Sequence, residues 1–210
     1  MARNFAEIAF TENVKSQQEK MGSRRSYARI EAVAESSVLG VAEKRFISER
    51  DHFYLATVGE TGYPYIQHRG GPKGFLKAVN DRTLGFADFK GNLQYVSLGN
   101  LTGNDRAALF LVDYVARRRL KIYARTEIVD MRTAPELMSA LTIAGYPAVV
   151  ERGFLFHVEA YDWNCPQHIT PRYTLDELED VISPMRQEIT RLENQLAAIK
   201  AGKGEWNAKD

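Results

Sequence analysis

The chain has 210 residues, 44% of them apolar, which suits one globular domain with decorations and requires no second full domain. Its 28 basic and 27 acidic side chains leave a formal charge of +1, so no global field recruits nucleic acid or an anionic membrane, and any anion site must be local. No apolar run is long enough for a membrane span, Met1 to Phe10 lack a signal-peptide core, and the single Cys165 has no internal disulfide partner; these features read as cytoplasmic.

Thr11 to Ser26 is polar and helix-friendly, and Gly22-Ser23-Arg24-Arg25-Ser26 breaks any helix, so residues 1–44 are expected to form a helical arm rather than a core element. A short helix is expected over Val41 to Glu49, with Val41, Phe46 and Ile47 in one apolar stripe. Strand patterns then begin. Phe53–Val58 and Tyr63–His68 flank the turn Gly59-Glu60-Thr61-Gly62, and Phe75–Val79 and Thr83–Asp88 flank Asn80-Asp81-Arg82, giving two hairpins. The mixed spacing of Leu93, Val96, Leu98 and Leu101 predicts a crossing helix over 92–101 with Gly91-Asn92 at its N-terminus. Strands are expected over Arg106–Tyr114, Leu120–Val129 and Phe154–Trp163, with a helix near Pro135 to Ile143. The reading is a mainly β fold with flanking helices, a barrel or sandwich over residues 45–172.

Residues 173–210 are set apart. Leu178, Ile182, Met185, Ile189, Leu192, Leu196 and Ile199 alternate steps of four and three, the seam of a coiled coil. Thr174 with Glu177 reads as a capping box, and Ser183-Pro184 marks either a kink or a second helix start. The seam argues for self-association or docking on a partner subunit.

Gly62-Tyr63-Pro64, His68-Arg69-Gly70-Gly71, Lys90-Gly91-Asn92 and Asn100 through Arg106 lie within one β-rich stretch. A cation at a glycine pair, followed by a Gly-Asn turn carrying lysine, provides the donors of a phosphate cradle. Against this, Arg117-Arg118-Arg119 at a hairpin tip and Arg24-Arg25 read as solvated charge. Cys165 and His168 form Cys-x-x-His without a second pair, which gives no zinc site.

These motifs, with His68-Arg69-Gly70-Gly71-Pro72-x-Gly74-Phe75-Leu76 and Asn104-x-Arg106, resemble the pyridoxamine 5'-phosphate oxidase-like family of FMN-binding split barrels, over roughly Arg45 to Asp130. Asp162 through Ile169 is similar to a further family segment. The resemblance implies an antiparallel split β-barrel and a homodimer with FMN at the subunit interface. It makes Arg69 and Lys90 the phosphate cations and Asn92 an amide partner, with His68, Gly70, Gly71 and Phe75 along the flavin. Asn100, Asn104, Trp163, Asn164 and Gln167 complete the implied cofactor set. The family's Arg-x-x-x-x-Lys strand and Ser-Arg-Lys turn are replaced here by Gln67-His68-Arg69-Gly70-Gly71 and Asn92-Leu93-Gln94, so the vitamin-phosphate substrate is not carried over. The function expected is an FMN-dependent oxidoreductase acting on an unidentified small molecule. The alternatives are a flavin-binding or redox-sensing protein without turnover, or a relative binding haem, for which His68 and His168 are the only ligands in view, or a deazaflavin.

Overall fold

Alternation of apolar and polar side chains builds the sheet in the computed structural model, which describes residues 4–32, 38–164 and 166–206. Seven strands, β1 (His52–Val58), β2 (Pro64–Gly70), β3 (Lys77–Ala78), β4 (Thr83–Phe89), β5 (Arg106–Asp113), β6 (Arg118–Val129) and β7 (Val150–Asn164), form one sheet in the order β2-β1-β5-β6-β7-β4-β3. Every pairing is antiparallel. The fold is mainly β with flanking helices, as the hairpin pattern predicts.

The sheet curls until its far strands meet. Phe53 on β1 and Phe86 on β4 are separated by three strands in the sheet order, yet their ring centroids lie 5.4 Å apart. Phe53, Leu55, Phe86, Leu109, Ile122, Phe154 and Phe156 fill the interior so formed. No backbone ladder joins β2 to β4 among the described residues; Arg69 and Asp88 span the gap with side chains instead. That is a split barrel, closed by packing and one ion pair.

Strand β4 is buried on both faces because α6 (Pro135–Leu141), which begins with proline at its first turn, covers its outer side. Two glycines allow that approach. A Cβ on Gly85 would lie 2.8 Å from Leu141 Cδ2, and one on Gly153 would lie 2.7 Å from Met138 Sδ.

Helix α4 (Val41–Ser48) packs Phe46 and Ile47 into the core, but Val41 is 86% exposed and leaves the predicted stripe. Before it, α1 (Phe5–Ala9), α2 (Glu12–Lys20) and α3 (Arg24–Glu31) form the amino-terminal segment. Gly22, at φ 73°, ends the second helix, and the chain resumes helix at Arg24 rather than staying broken through Ser26. The segment is also less detached than an arm: Ala6 is buried and Phe5 stacks on Tyr123 at 4.9 Å.

Contacts divide the chain into two compact units, Met1–Asp113 with Arg117–His168, and Tyr114–Ala116 with Ile169–Asp210. In the second, α7 (Leu175–Trp206) is a single helix containing Pro184. The Thr174 amide donates to Glu177 Oε2 at 2.8 Å and the Glu177 amide to Thr174 Oγ1 at 3.3 Å, closing the capping box. Arg172 lies 4.8 Å from the centre of the Tyr114 ring. No described helix is long and apolar enough to cross a membrane.

Candidate functional site

The split between β2 and β4 opens on a cleft. Tyr65, Gln67 and Arg69 line it from alternate positions of β2, facing Asp88 and Phe89 of β4, the loop from Gly91 to Tyr95, and Glu151 of β7. Helix α5 (Val96–Gly103) forms its base: Ser97 Oγ donates to Gln67 Oε1 at 2.8 Å and fixes the amide. The void is about 40 Å³.

Its electrostatics centre on four charges. Arg69 Nη1 donates to Asp88 Oδ1 at 2.7 Å, and Arg152 Nε lies 3.9 Å from the other carboxylate oxygen. The ladder slips between Asp88 and Phe89, where Arg152 and Val150 are the respective partners, and Glu151 bulges out between them. This brings Glu151 to Arg152 Nη2 at 2.8 Å and to the Tyr95 hydroxyl at 3.0 Å. Burial pushes the Asp88 carboxyl up and the Arg69 guanidinium down from their ordinary values, while their mutual attraction opposes both shifts. Arg69 Nε and Arg152 Nη1 are buried without a hydrogen-bond partner among the described residues. One unmet donor belongs to the cleft residue Arg69 and the other to Arg152, which touches the lining residues Asp88 and Glu151 from behind; donors so placed suit an anion or a polar ligand.

The expected helix N-terminus is displaced. Leu93 and Tyr95 take left-handed backbone at φ 63° and 51°, so α5 starts at Val96 and Gly91-Asn92 belongs to the loop before it. Asn92 still lines the cleft, with its Oδ1 accepting from the Gln94 amide at 3.2 Å.

The other predicted residues divide by location. Lys90 is exposed beside the cleft residue Gly91 and enters no ion pair among the described residues. His68 alternates away from Arg69 and stacks on His52 at 5.4 Å. Phe75 is 1% exposed in the core, and Gly71 is small to admit it: a Cβ there would lie 2.8 Å from the Phe75 ring. A Cβ on Gly70 would lie 2.9 Å from His68 Cε1, so this glycine pair serves local packing. Asn100 donates from Nδ2 to Thr57 Oγ1 at 3.0 Å, and Asn104 Oδ1 accepts from the Arg106 amide at 3.2 Å. Trp163 belongs to a separate cluster, donating from Nε1 to Glu43 at 2.8 Å. Gln167 and His168 are exposed, while the Asn164 side chain and Cys165 lie outside the described residues.

Arg117 and Arg118 are exposed, as the solvated reading of the basic run expects, and the Arg118 guanidinium also lies 4.4 Å from the Trp163 ring centre. Gln67, Asp88, Tyr95 and Glu151 also line the cleft, with Arg152 behind them, and no motif assigns any of these a site role. The signal available for Gln67 is the period-two alternation that puts it on one face with Arg69. No cluster of three or more metal-ligating side chains occurs among the described residues.

None of the curated proteins matches the sequence. Three solved structures are similar at low identity. HupZ from Group A Streptococcus has a TM-score of 0.46 and 15% identity, covering 64% of this chain and 99% of that one. A Clostridium acetobutylicum protein related to general stress protein 26, of the pyridoxinephosphate oxidase family, gives 0.43 and 17%, covering 66% and 95%. An FMN-binding protein from Syntrophomonas wolfei gives 0.43 and 11%, covering 70% and 97%. The family model described as pyridoxamine 5'-phosphate oxidase matches residues 41–162, more than half of the sequence. The chain belongs to the pyridoxamine 5'-phosphate oxidase family.

Proposed function

We propose that the protein is an FMN-dependent oxidoreductase that works as a homodimer on a small-molecule substrate, with the cofactor's phosphate end held at the β2–β4 cleft. The observation that carries this reading is the buried, unpartnered guanidinium donor on the cleft residue Arg69, with a second on Arg152 behind the lining residues Asp88 and Glu151, in a member of this family. Such donors favour an acceptor-rich group and cost free energy while unmet.

Charge balance modifies the roles expected from the resemblance. Arg69 and Arg152 are offset by Asp88 and Glu151, so Arg69 positions a donor rather than supplying surplus charge. Lys90 is the cation left to offset a phosphate, and Gln67 and Asn92 offer amide contacts. A void of about 40 Å³ accommodates an anionic end but not a whole flavin, since sites for ligands of that size run to roughly 300 Å³ and more. On this reading a second copy of the chain supplies the remaining wall.

Bound flavin supplies hydride acceptance and donation, so the chain needs only to orient cofactor and substrate and exclude water. Purified protein is expected to be yellow and to release FMN, identified by mass. Lys90→Ala should weaken FMN binding by about threefold to tenfold, as for a partly solvated ion pair. Colourless protein that takes up no added FMN overturns the proposal, and a Soret band in its place identifies haem.

A further inference from the structure

We infer that the α7 helices of two copies of this chain pair antiparallel as a coiled coil, in one register selected by charge. This inference does not depend on the flavin. The seam extends from Leu175 to Ile199: Leu175, Ile182, Ile189 and Leu196 occupy the a positions, and Leu178, Met185, Leu192 and Ile199 the d positions. Met185, Ile189, Leu192, Leu196 and Ile199 are all between 49% and 61% exposed. Such an apolar line, kept over more than three heptads, is the signature of a helix awaiting another. Pro184 falls at c, away from the seam.

The flanking charges identify the occupant. The e positions read Glu179, Arg186, Glu193 and Lys200, alternating in sign along one edge; Arg186 Nη1 lies 3.6 Å from Glu179, which places both on the same flank. Antiparallel coils bring e against e. When Ile189 of one copy stacks on Leu192 of the other, Glu179 faces the second copy's Lys200 and Arg186 faces its Glu193. The twofold axis repeats both, so all four pairs are complementary.

Other arrangements lose this match. A shift of one heptad in one direction sets Arg186 against Arg186 and Glu179 against Glu193, and in the other direction Glu193 against Glu193 and Arg186 against Lys200. A parallel pair brings g against e, which opposes Glu188 to Glu193 twice and leaves Arg186 facing Val181. Like charges at these positions disfavour a pairing, so the edge both promotes one register and excludes its neighbours.

The test uses the full chain with Cys165→Ser and one spin label per copy, at Gln187→Cys or Ala201→Cys, both f positions outside the seam. In the proposed pair the axial separation between identical labels is about 10 Å at position 187 and about 30 Å at 201, from the helical rise. A parallel pair gives equal distances at the two positions. Arg186→Glu should weaken the association of labelled helices by about tenfold or more, and adding Glu193→Arg should restore it, because every e–e pair is again opposite in sign. Both substitutions are on an exposed flank and leave the seam intact. Equal label distances, no interhelical distance at all, or failure of the double reversal to restore the paired distances each overturns the inference.

Discussion

Arg69 on β2 and Asp88 on β4 meet at 2.7 Å across the only gap in the barrel wall that lacks a backbone ladder among the described residues. Their side chains are 15% and 7% exposed, so each charge depends on the other. Arg69→Ala leaves Asp88 buried with Arg152 at 3.9 Å as its remaining cation. The expected loss is about 3–5 kcal/mol, measured by urea unfolding, because a broken buried pair strands a charge. Replacing both partners, as in Arg69→Met with Asp88→Leu, should recover most of it. If the double variant is as unstable as the single one, the pair holds the barrel by more than charge balance.

The contact of α6 with the sheet predicts a different kind of sensitivity. Gly85→Ala must insert a methyl 2.8 Å from Leu141 and 2.9 Å from Leu155, and should cost about 1–3 kcal/mol in thermal or chemical unfolding by overpacking. Gly99 in α5 is the control, since a Cβ there meets nothing within 4 Å. Gly99→Ala should stabilise by up to about 1 kcal/mol through helix propensity. Equal effects at the two sites would show that packing of α6 is not what restricts β4.

These contrasts explain which features were legible in the sequence. Hairpins were, because turn residues at 59–62 and 80–82 are local and strand alternation has a fixed period. The family was also legible from short motifs. Arg69 looked like a free cation because its partner is 19 residues away on a strand that never pairs with β2, and no local pattern encodes that encounter. The contact of the exposed Arg118 with Trp163 is hidden for the same reason, as the two are distant in sequence. The start of α5 was misplaced because apolar spacing is indifferent to left-handed backbone at Leu93 and Tyr95. Val41 matched a helical stripe but fell on the first turn, where α4 presents it to solvent.

Asp130 and Arg132 give a titration that can be read directly. The Arg132 side chain and backbone amide both donate to the Asp130 carboxylate, at 3.0 Å and 2.7 Å, and hold its pKa at about 2 against an ordinary 3.8. A depressed carboxylate pKa contributes stability above the unfolded value and loses it as pH falls through the folded one, so this contribution disappears between pH 3.8 and about 2. Carboxyl NMR should show the Asp130 midpoint near 2, and Arg132→Ala should move it up toward 3.8 without reaching it, because the backbone donor remains. A midpoint that ignores the substitution would remove the side chain from the cause.

Trp163 and Arg118 supply a measurable pair away from the cleft. The indole lies edge-on to Phe46 at 4.8 Å, donates to Glu43 at 2.8 Å, and carries the Arg118 guanidinium 4.4 Å from its ring centre. The cation therefore sits on the face while the N–H leaves at the edge, so the two interactions can be removed separately. Trp163→Phe keeps a ring under Arg118 but loses the hydrogen bond, at an expected cost of about 1 kcal/mol. Trp163→Leu removes the π-face as well. A double-mutant cycle of Trp163→Leu with Arg118→Ala, measured by urea unfolding, should return a coupling of about 0.5–1 kcal/mol, whereas the same cycle starting from Trp163→Phe against Trp163 should return much less. Zero coupling in the first cycle would mean that Arg118 gains nothing from the ring beyond its position at the strand end.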